Sequence, residues 1–113
     1  MDETIKFYTD NLGLKLVNRK EIPENDAEIA FLEDNHTDYK IELTFWRGKQ
    51  DYSEGDQLDH LAFEVEDVDR SIAEFRRKDV KITKEPYSLS NSQKRIAFIQ
   101  DPNDIWIELI QPK

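Results

Sequence analysis

Two apolar-rich segments of the chain contain the same tripeptide, in which one carboxylate stands between two aliphatic side chains. The first is Ile41-Glu42-Leu43 and the second is Ile107-Glu108-Leu109. Because side chains alternate between the two faces of a strand, the aliphatic pair of each copy lies on one face and the glutamate on the other. A glutamate in a strand with apolar residues on both faces must be paired, protonated or bound to a metal, since an isolated charge is costly to desolvate.

Further matches at nearly one spacing indicate that the chain contains an internal repeat. Ile29-Ala30-Phe31 recurs as Ile96-Ala97-Phe98 at an offset of 67 residues, and Thr4-Ile5 recurs as Ser71-Ile72 at the same offset. The two glutamate tripeptides are 66 residues apart. Since two copies do not make a solenoid, the pattern favours a duplicated module of one helix followed by three strands.

The spacing of apolar residues predicts two helices and seven strands. Helical spacing predicts helices over residues 2–11 and 68–78, with Asp2 and Asp67 as N-caps and Gly13 as a left-handed helix end. Alternating residues predict strands over 14–21, 27–33, 39–46, 58–65, 81–84, 94–100 and 105–111. Polar residues predict loops or turns over 23–26, 34–38, 47–57, 86–93 and 101–104.

These elements predict an α+β fold in which residues 1–113 form a single domain of two βαβββ modules. Module 1 covers about residues 1–46 and module 2 about residues 58–113. The strand that carries His60 has no counterpart ahead of the first helix, because the offset of 67 places the matching residue at position −7. The first strand of module 1 is therefore absent from the pattern. We expect the chain to start one strand late, with a histidine-bearing strand upstream of Met1, and this form to be weakly active or inactive.

Composition narrows the class of protein. Of the 113 residues, 37% are hydrophobic and 36% are charged, so the core is thin and burial at a homodimer interface is expected to help. The net charge of −9 disfavours nucleic-acid partners and anionic membrane surfaces. There are no cysteines and no apolar run long enough for a membrane span. We therefore expect a soluble, cytoplasmic protein without a thiol nucleophile.

Three residues are candidates for a metal site. Glu42, His60 and Glu108 all point away from the helix-covered side of their strands, and two carboxylates with one imidazole suit Ni²⁺ or Zn²⁺ first, and Co²⁺ or Mn²⁺ as alternatives. Taken singly, a strand histidine is more often a hydrogen-bonded structural residue, and each glutamate an exposed or salt-bridged one. Trp46 and Trp106 share the open faces, where they line a substrate pocket or are buried at an interface.

Four stretches resemble the glyoxalase I branch of the vicinal oxygen chelate superfamily. They are residues 4–8 with Leu12-Gly13, Ile41-Glu42-Leu43-Thr44, Asp59-His60-Leu61-Ala62, and residues 97–102 with residues 106–109. The resemblance covers nearly the whole chain. In two places the chain departs from the family pattern: Asp59 stands where a glycine is usual, and Trp46 stands where an asparagine is common.

The resemblance implies a homodimer of paired modules around a divalent metal held by Glu42, His60 and Glu108. It also implies isomerisation of the hemithioacetal of methylglyoxal and a thiol, through an enediolate, with Glu108 moving the proton. Two alternatives stay open. The chain could be a non-catalytic small-molecule-binding protein like the drug-sequestering resistance proteins, or another metalloenzyme of the superfamily, such as an epimerase or a thiol transferase.

Overall fold

The chain folds into two units, Met1–Ser53 and Glu54–Lys113, each built from one helix and one sheet. The structure is a computed structural model that describes residues 1–37, 39–49, 51–52, 59–90 and 93–112. The predicted α+β class is confirmed. Neither helix in the described part of the chain has the length and apolar character needed to span a membrane.

Unit 1 begins with helix α1 (Asp2–Leu12), which is followed by three antiparallel strands in the order β1-β2-β3. The strands are β1 (Lys15–Ile22), β2 (Ala27–Glu33) and β3 (Lys40–Trp46). A 3₁₀ turn, Pro23–Asn25, joins the first two strands where a turn is predicted. A register shift between Leu16 and Asn18 makes β1 irregular, so its side chains do not alternate along the whole strand as predicted.

Helix α1 packs an apolar face against the sheet of unit 1. Ile5, Phe7 and Tyr8 are buried against the face of the sheet that carries Ala30 and Leu32. The helix ends at Gly13, whose φ of 71° is left-handed, as predicted. The expectation that Asp2 is the N-cap is wrong. The cap position is Met1, and the Asp2 carboxylate pairs instead with Arg19 on β1 at 2.6 Å.

Unit 2 contains helix α2 (Val68–Arg77) and a four-stranded sheet in the order β4-β7-β6-β5. Its strands are β4 (Leu61–Glu64), β5 (Lys81–Ser88), β6 (Arg95–Gln100) and β7 (Trp106–Gln111). Strand β4 runs parallel to β7, and the other pairs are antiparallel. A parallel pair needs a long crossover, and here the chain between the two strands supplies α2, β5 and β6.

The core of unit 2 lies between α2 and one face of this sheet. Ile99, Ile107 and Leu109 are fully buried, and α2 contributes Ile72 and Phe75. Each such side chain stabilises the fold by about 1.5–3 kcal/mol relative to an exposed position. This arrangement confirms that the aliphatic residues of the second glutamate tripeptide face the helix, which leaves Glu108 on the opposite face of β7.

Several boundaries differ from their predictions. Strand β4 begins at Leu61, so His60 precedes the strand, and Leu58 lies outside the described residues. Strand β5 continues through Pro86 to Ser88, where a loop is predicted. An edge strand tolerates proline because one side of its backbone has no ladder partner, and the pairing with β6 shifts register twice around this position. Asp67 caps α2 as predicted, accepting a hydrogen bond from the Arg70 amide.

Candidate functional site

His60 and Glu108 meet on the face of the unit 2 sheet that α2 does not cover. The parallel register pairs Ala62 with Glu108, and His60, which directly precedes β4, contacts Glu108 on the same face of the sheet. His60 Nε2 lies 2.8 Å from Glu108 Oε1. Both side chains are only partly exposed, 29% for His60 and 17% for Glu108. The structure therefore brings together two of the three predicted metal ligands in direct contact.

The His60 ring is held by two further neighbours. Its Nδ1 lies 2.6 Å from Asp59 Oδ2, so both ring nitrogens face a carboxylate. Its plane packs edge-on against the Phe98 ring, with a centroid separation of 5.4 Å. The Asp59 side chain itself is 93% exposed. These contacts fix the orientation of the imidazole from three sides.

These contacts change the pKa of the His60 imidazole. The hydrogen bond to Asp59 raises the pKa of His60 above its ordinary value of 6.5, and the hydrogen bond and charge of Glu108 act in the same direction. Partial burial opposes this shift, because desolvation disfavours the protonated ring. The two carboxylates therefore stabilise the protonated form of the His60 ring.

Aromatic side chains extend the site across the same sheet face. Phe98 lies directly opposite Glu108 in the β6–β7 register, and its ring is 5.7 Å from that of Trp106. The Lys84 ammonium group lies 5.8 Å from the centre of the Phe98 ring. Trp106 is 36% exposed, so one of its surfaces is available to a small molecule. This face combines an acid–base pair with an apolar wall.

Glu42 and Trp46 belong to unit 1. Both lie on the face of β3 opposite Ile41, Leu43 and Phe45, as predicted, and both are exposed. Glu42 is paired in register with Phe31 on β2. In the part of the chain that the structure describes, no hydrogen bond or ion pair involves the Glu42 carboxylate, so its oxygens are available to a ligand.

The residues present fit part of a metal site. Within the described ranges, no group of three or more histidine, cysteine, aspartate or glutamate side chains is clustered so that it could hold a metal ion. His60 Nε2 and Glu108 Oε1 nevertheless lie 2.8 Å apart, and an imidazole with a carboxylate is a donor pair that Zn²⁺ and Ni²⁺ accept. The assignment of Glu42 as a third ligand stays a prediction.

Two residues of this site, Asp59 and Phe98, are not among the predicted site residues. Asp59 adjoins His60 in the sequence, but adjacent side chains in a strand point to opposite faces, so the alternation gives no signal for their contact. The contact forms because both residues precede β4. Phe98 does carry a signal. It ends the repeated Ile-Ala-Phe segment, and an antiparallel pairing of the last two predicted strands places it near Glu108.

A comparison with protein families finds one match over most of the chain. A family model described as the Glyoxalase/Bleomycin resistance protein/Dioxygenase superfamily matches residues 1–109.

Several proteins resemble this chain in sequence or structure, and they are longer than it to different extents. A lactoylglutathione lyase of Haemophilus influenzae is 35% identical over 115 residues, a match that covers 100% of this chain and 85% of that protein. A probable chloroplastic lactoylglutathione lyase of Arabidopsis thaliana is 38% identical, covering 98% of this chain and 32% of the plant protein. The crystal structure of glyoxalase I from Zea mays superposes with a TM-score of 0.86 at 35% identity, covering 97% of this chain and 40% of that one. The chain thus spans about a third to two fifths of these plant proteins.

Proposed function

The chain belongs to the glyoxalase/bleomycin resistance protein/dioxygenase superfamily, and on that basis we propose that it is a metal-dependent lyase of the glyoxalase I type. Its substrate is the hemithioacetal that methylglyoxal forms with a thiol such as glutathione. The observation that carries this proposal is the 2.8 Å contact between His60 Nε2 and Glu108 Oε1 on an open, aromatic-lined sheet face. The similarity to lactoylglutathione lyases supports it.

In this proposal Glu42, His60 and Glu108 hold a divalent cation, with Ni²⁺ or Zn²⁺ preferred over Co²⁺ or Mn²⁺. His60 would offer Nε2, which lies beside the second proposed ligand Glu108, while Nδ1 is engaged with Asp59. The two glutamates offer hard anionic oxygens that suit the same ions. When bound, the cation supplies Lewis-acid chemistry by polarising a substrate oxygen and stabilising the negative charge that develops there.

Glu108 is the proposed catalytic base. Its carboxylate accepts the proton from the carbon that bears the thiol sulfur and returns it to the neighbouring carbon. Together with movement of the hydroxyl proton from the thiol-bearing carbon to the former ketone oxygen, this transfer turns a ketone beside a thiohemiacetal carbon into a hydroxyl group beside a thioester, with no net gain or loss of atoms. Glu108 suits the role because its side chain is 17% exposed, so substrate can reach the carboxylate while much of the surrounding water is excluded.

Trp106 and Trp46 are the proposed walls of the substrate pocket. Trp106 packs beside Phe98 on the sheet face that carries Glu108, and Trp46 shares the face of Glu42. Flat aromatic surfaces bind the methyl group of the aldehyde and the apolar part of the thiol without competing for its polar groups. The specificity of the site for a small substrate then comes from these surfaces, and the reaction from His60 and Glu108.

The proposal is tested by measuring metal content and thioester formation on the same preparation. Protein stripped with a chelator and then reloaded with Ni²⁺ or Zn²⁺ should form thioester from methylglyoxal and glutathione at a measurable rate, even if weakly, as expected for this form of the chain. His60→Gln should lose both metal and activity. His36→Gln is the matched control, since His36 is an exposed loop residue. Tight binding of small apolar molecules without turnover under any metal would instead support a binding protein of the same fold.

A further inference from the structure

The contact between Asp59 and His60 is a feature that the proposed reaction does not use directly. Asp59 Oδ2 lies 2.6 Å from His60 Nδ1, on the side of the ring opposite Glu108. An ionised carboxylate only accepts hydrogen bonds, so the short distance requires a proton on Nδ1. At Nε2, Glu108 Oε1 is a competing acceptor at the longer distance of 2.8 Å.

A neutral imidazole has one proton, and the two carboxylates compete for it. If Glu108 holds the proton, Nε2 has no lone pair to offer a cation. If Asp59 holds it at Nδ1, the Nε2 lone pair faces Glu108 Oε1 and the two atoms form a ready donor pair. The hydrogen bond at one ring nitrogen therefore determines whether the other nitrogen carries a proton or a free lone pair.

We propose that Asp59 is a positioning residue that keeps the His60 proton on Nδ1 and so presents Nε2 to a divalent cation. This inference rests on the proposed function, in which His60 is a ligand. Partners of this kind typically contribute about 10–100-fold to metal affinity, and the 93% exposure of Asp59 places its contribution near the lower end. The edge-on contact with Phe98 assists by limiting rotation of the ring.

Two variants of Asp59 separate the hydrogen bond from the charge. Asp59→Ala removes both, whereas Asp59→Asn removes the charge and keeps an oxygen that can accept from Nδ1. Glu66→Gln is the control, because Glu66 is an exposed acid beyond the opposite end of β4. The chain has two histidines, so a His36→Asn background leaves only the His60 ring to observe.

The first readout is the tautomer of His60 in the metal-free protein, from the ¹⁵N chemical shifts of its ring on the alkaline side of its titration. Asp59→Ala should move the proton from Nδ1 to Nε2, and Asp59→Asn and Glu66→Gln should leave it on Nδ1. This readout needs no metal and no turnover, so it tests the role of Asp59 even if the proposed function fails.

The second readout is the affinity for Zn²⁺, measured by competition with a chromophoric chelator. Asp59→Ala should weaken binding by about tenfold, and Asp59→Asn by less. An unchanged tautomer in Asp59→Ala overturns the proposal, whether or not affinity falls, because any loss is then an effect of charge alone. A wild-type chain that binds no Zn²⁺ overturns the proposed function and is distinguishable from both results.

Discussion

At the scale of single residues, the open face of unit 2 concentrates its chemistry in His60, Glu108 and their immediate neighbours. The imidazole lies between two carboxylates at 2.6 and 2.8 Å, and Phe98 and Trp106 continue the face as an apolar wall. The polar pair suits proton movement and metal binding, whereas the aromatic rings suit binding. Substitutions of the polar pair and substitutions of the aromatic residues should therefore have different kinetic effects.

Replacing Trp106 by alanine should weaken substrate binding more than it slows the reaction. Aromatic contacts of this kind contribute about 0.5–1.5 kcal/mol, which corresponds to a rise in KM of about 2–10-fold. The value of kcat should change little, because the interaction is the same in the ground state and the transition state. Steady-state kinetics of the reloaded enzyme measure both constants.

Trp106→Phe should retain most of the affinity, since a ring still packs on Phe98, and Tyr39→Ala serves as the control because Tyr39 is 83% exposed in unit 1. A fall in kcat with no change in KM would contradict the assignment of Trp106 to the pocket wall.

The candidate site was predictable in part from the sequence, and the physical reason differs between residues. Strand alternation places Glu42, His60 and Glu108 on the open faces, because the period of a strand is local information. The contact between His60 and Glu108 depends on the parallel pairing of β4 with β7, which are far apart in the sequence. The Asp59 contact depends on where β4 begins, and strand ends are set by tertiary pairing that the sequence pattern does not contain.

At the scale of secondary-structure elements, α2 is held against the sheet by its apolar stripe and by an ion pair between Asp69 and Arg95, called here the Asp69–Arg95 clamp. Asp69 in the first turn accepts two hydrogen bonds from Arg95 on β6, at 2.6 and 2.9 Å. These hydrogen bonds lower the pKa of Asp69 below its ordinary value of 3.8, and the slight desolvation of its carboxylate opposes them. The helix pattern was predictable because it is local, whereas the extension of β5 through Pro86 was not, because pairing with β6 overrides the local signal.

The Asp69–Arg95 clamp should make a pH-dependent contribution to stability. Because the folded-state pKa of Asp69 is depressed, its contribution is present above the unfolded-state pKa and is lost as the pH falls through the folded-state pKa. Asp69→Asn should therefore lower the free energy of unfolding near neutral pH, and the gap to wild type should close in acid. Urea unfolding at a series of pH values measures it.

Glu66→Gln is again the matched control, since it removes one acidic group just before α2 and should leave the pH dependence in place. A gap between wild type and Asp69→Asn that persists unchanged into strong acid would show that the effect is not due to the ionised pair.

At the scale of the whole molecule, the proposed metal ligands are divided between the two units, with Glu42 in unit 1 and His60 and Glu108 in unit 2. We propose a homodimer in which each site takes Glu42 from one chain and His60 with Glu108 from the other. A chain with 36% charged residues has little apolar core of its own. Exposed Leu16 and Val17 on the edge strand β1 give a second copy an apolar surface to cover.

Mixing two inactive variants tests this shared site. Glu42→Ala and His60→Ala should each be inactive alone, but a heterodimer of the two retains one intact site. After denaturation together and refolding, random association should restore about one quarter of wild-type activity, because half of the dimers are mixed and each has one intact site of two. If heterodimers are shown to be present but activity does not recover, all ligands of a site come from one chain.

The role of Glu108 as the catalytic base is tested most directly by the rate of thioester formation by Glu108→Gln at saturating metal. Glutamine preserves the shape and one donor oxygen of Glu108 but cannot carry the proton, so excess Ni²⁺ or Zn²⁺ compensates for weaker binding and leaves only the loss of the base. With metal bound at the wild-type ratio, the rate should fall by at least about 100-fold. The control Glu64→Gln, at an exposed glutamate of β4 on the same face of the sheet as Glu108, should leave the rate unchanged. A metal-loaded Glu108→Gln enzyme that turns over within about threefold of wild type would contradict the assignment of Glu108 as the base and the mechanism built on it.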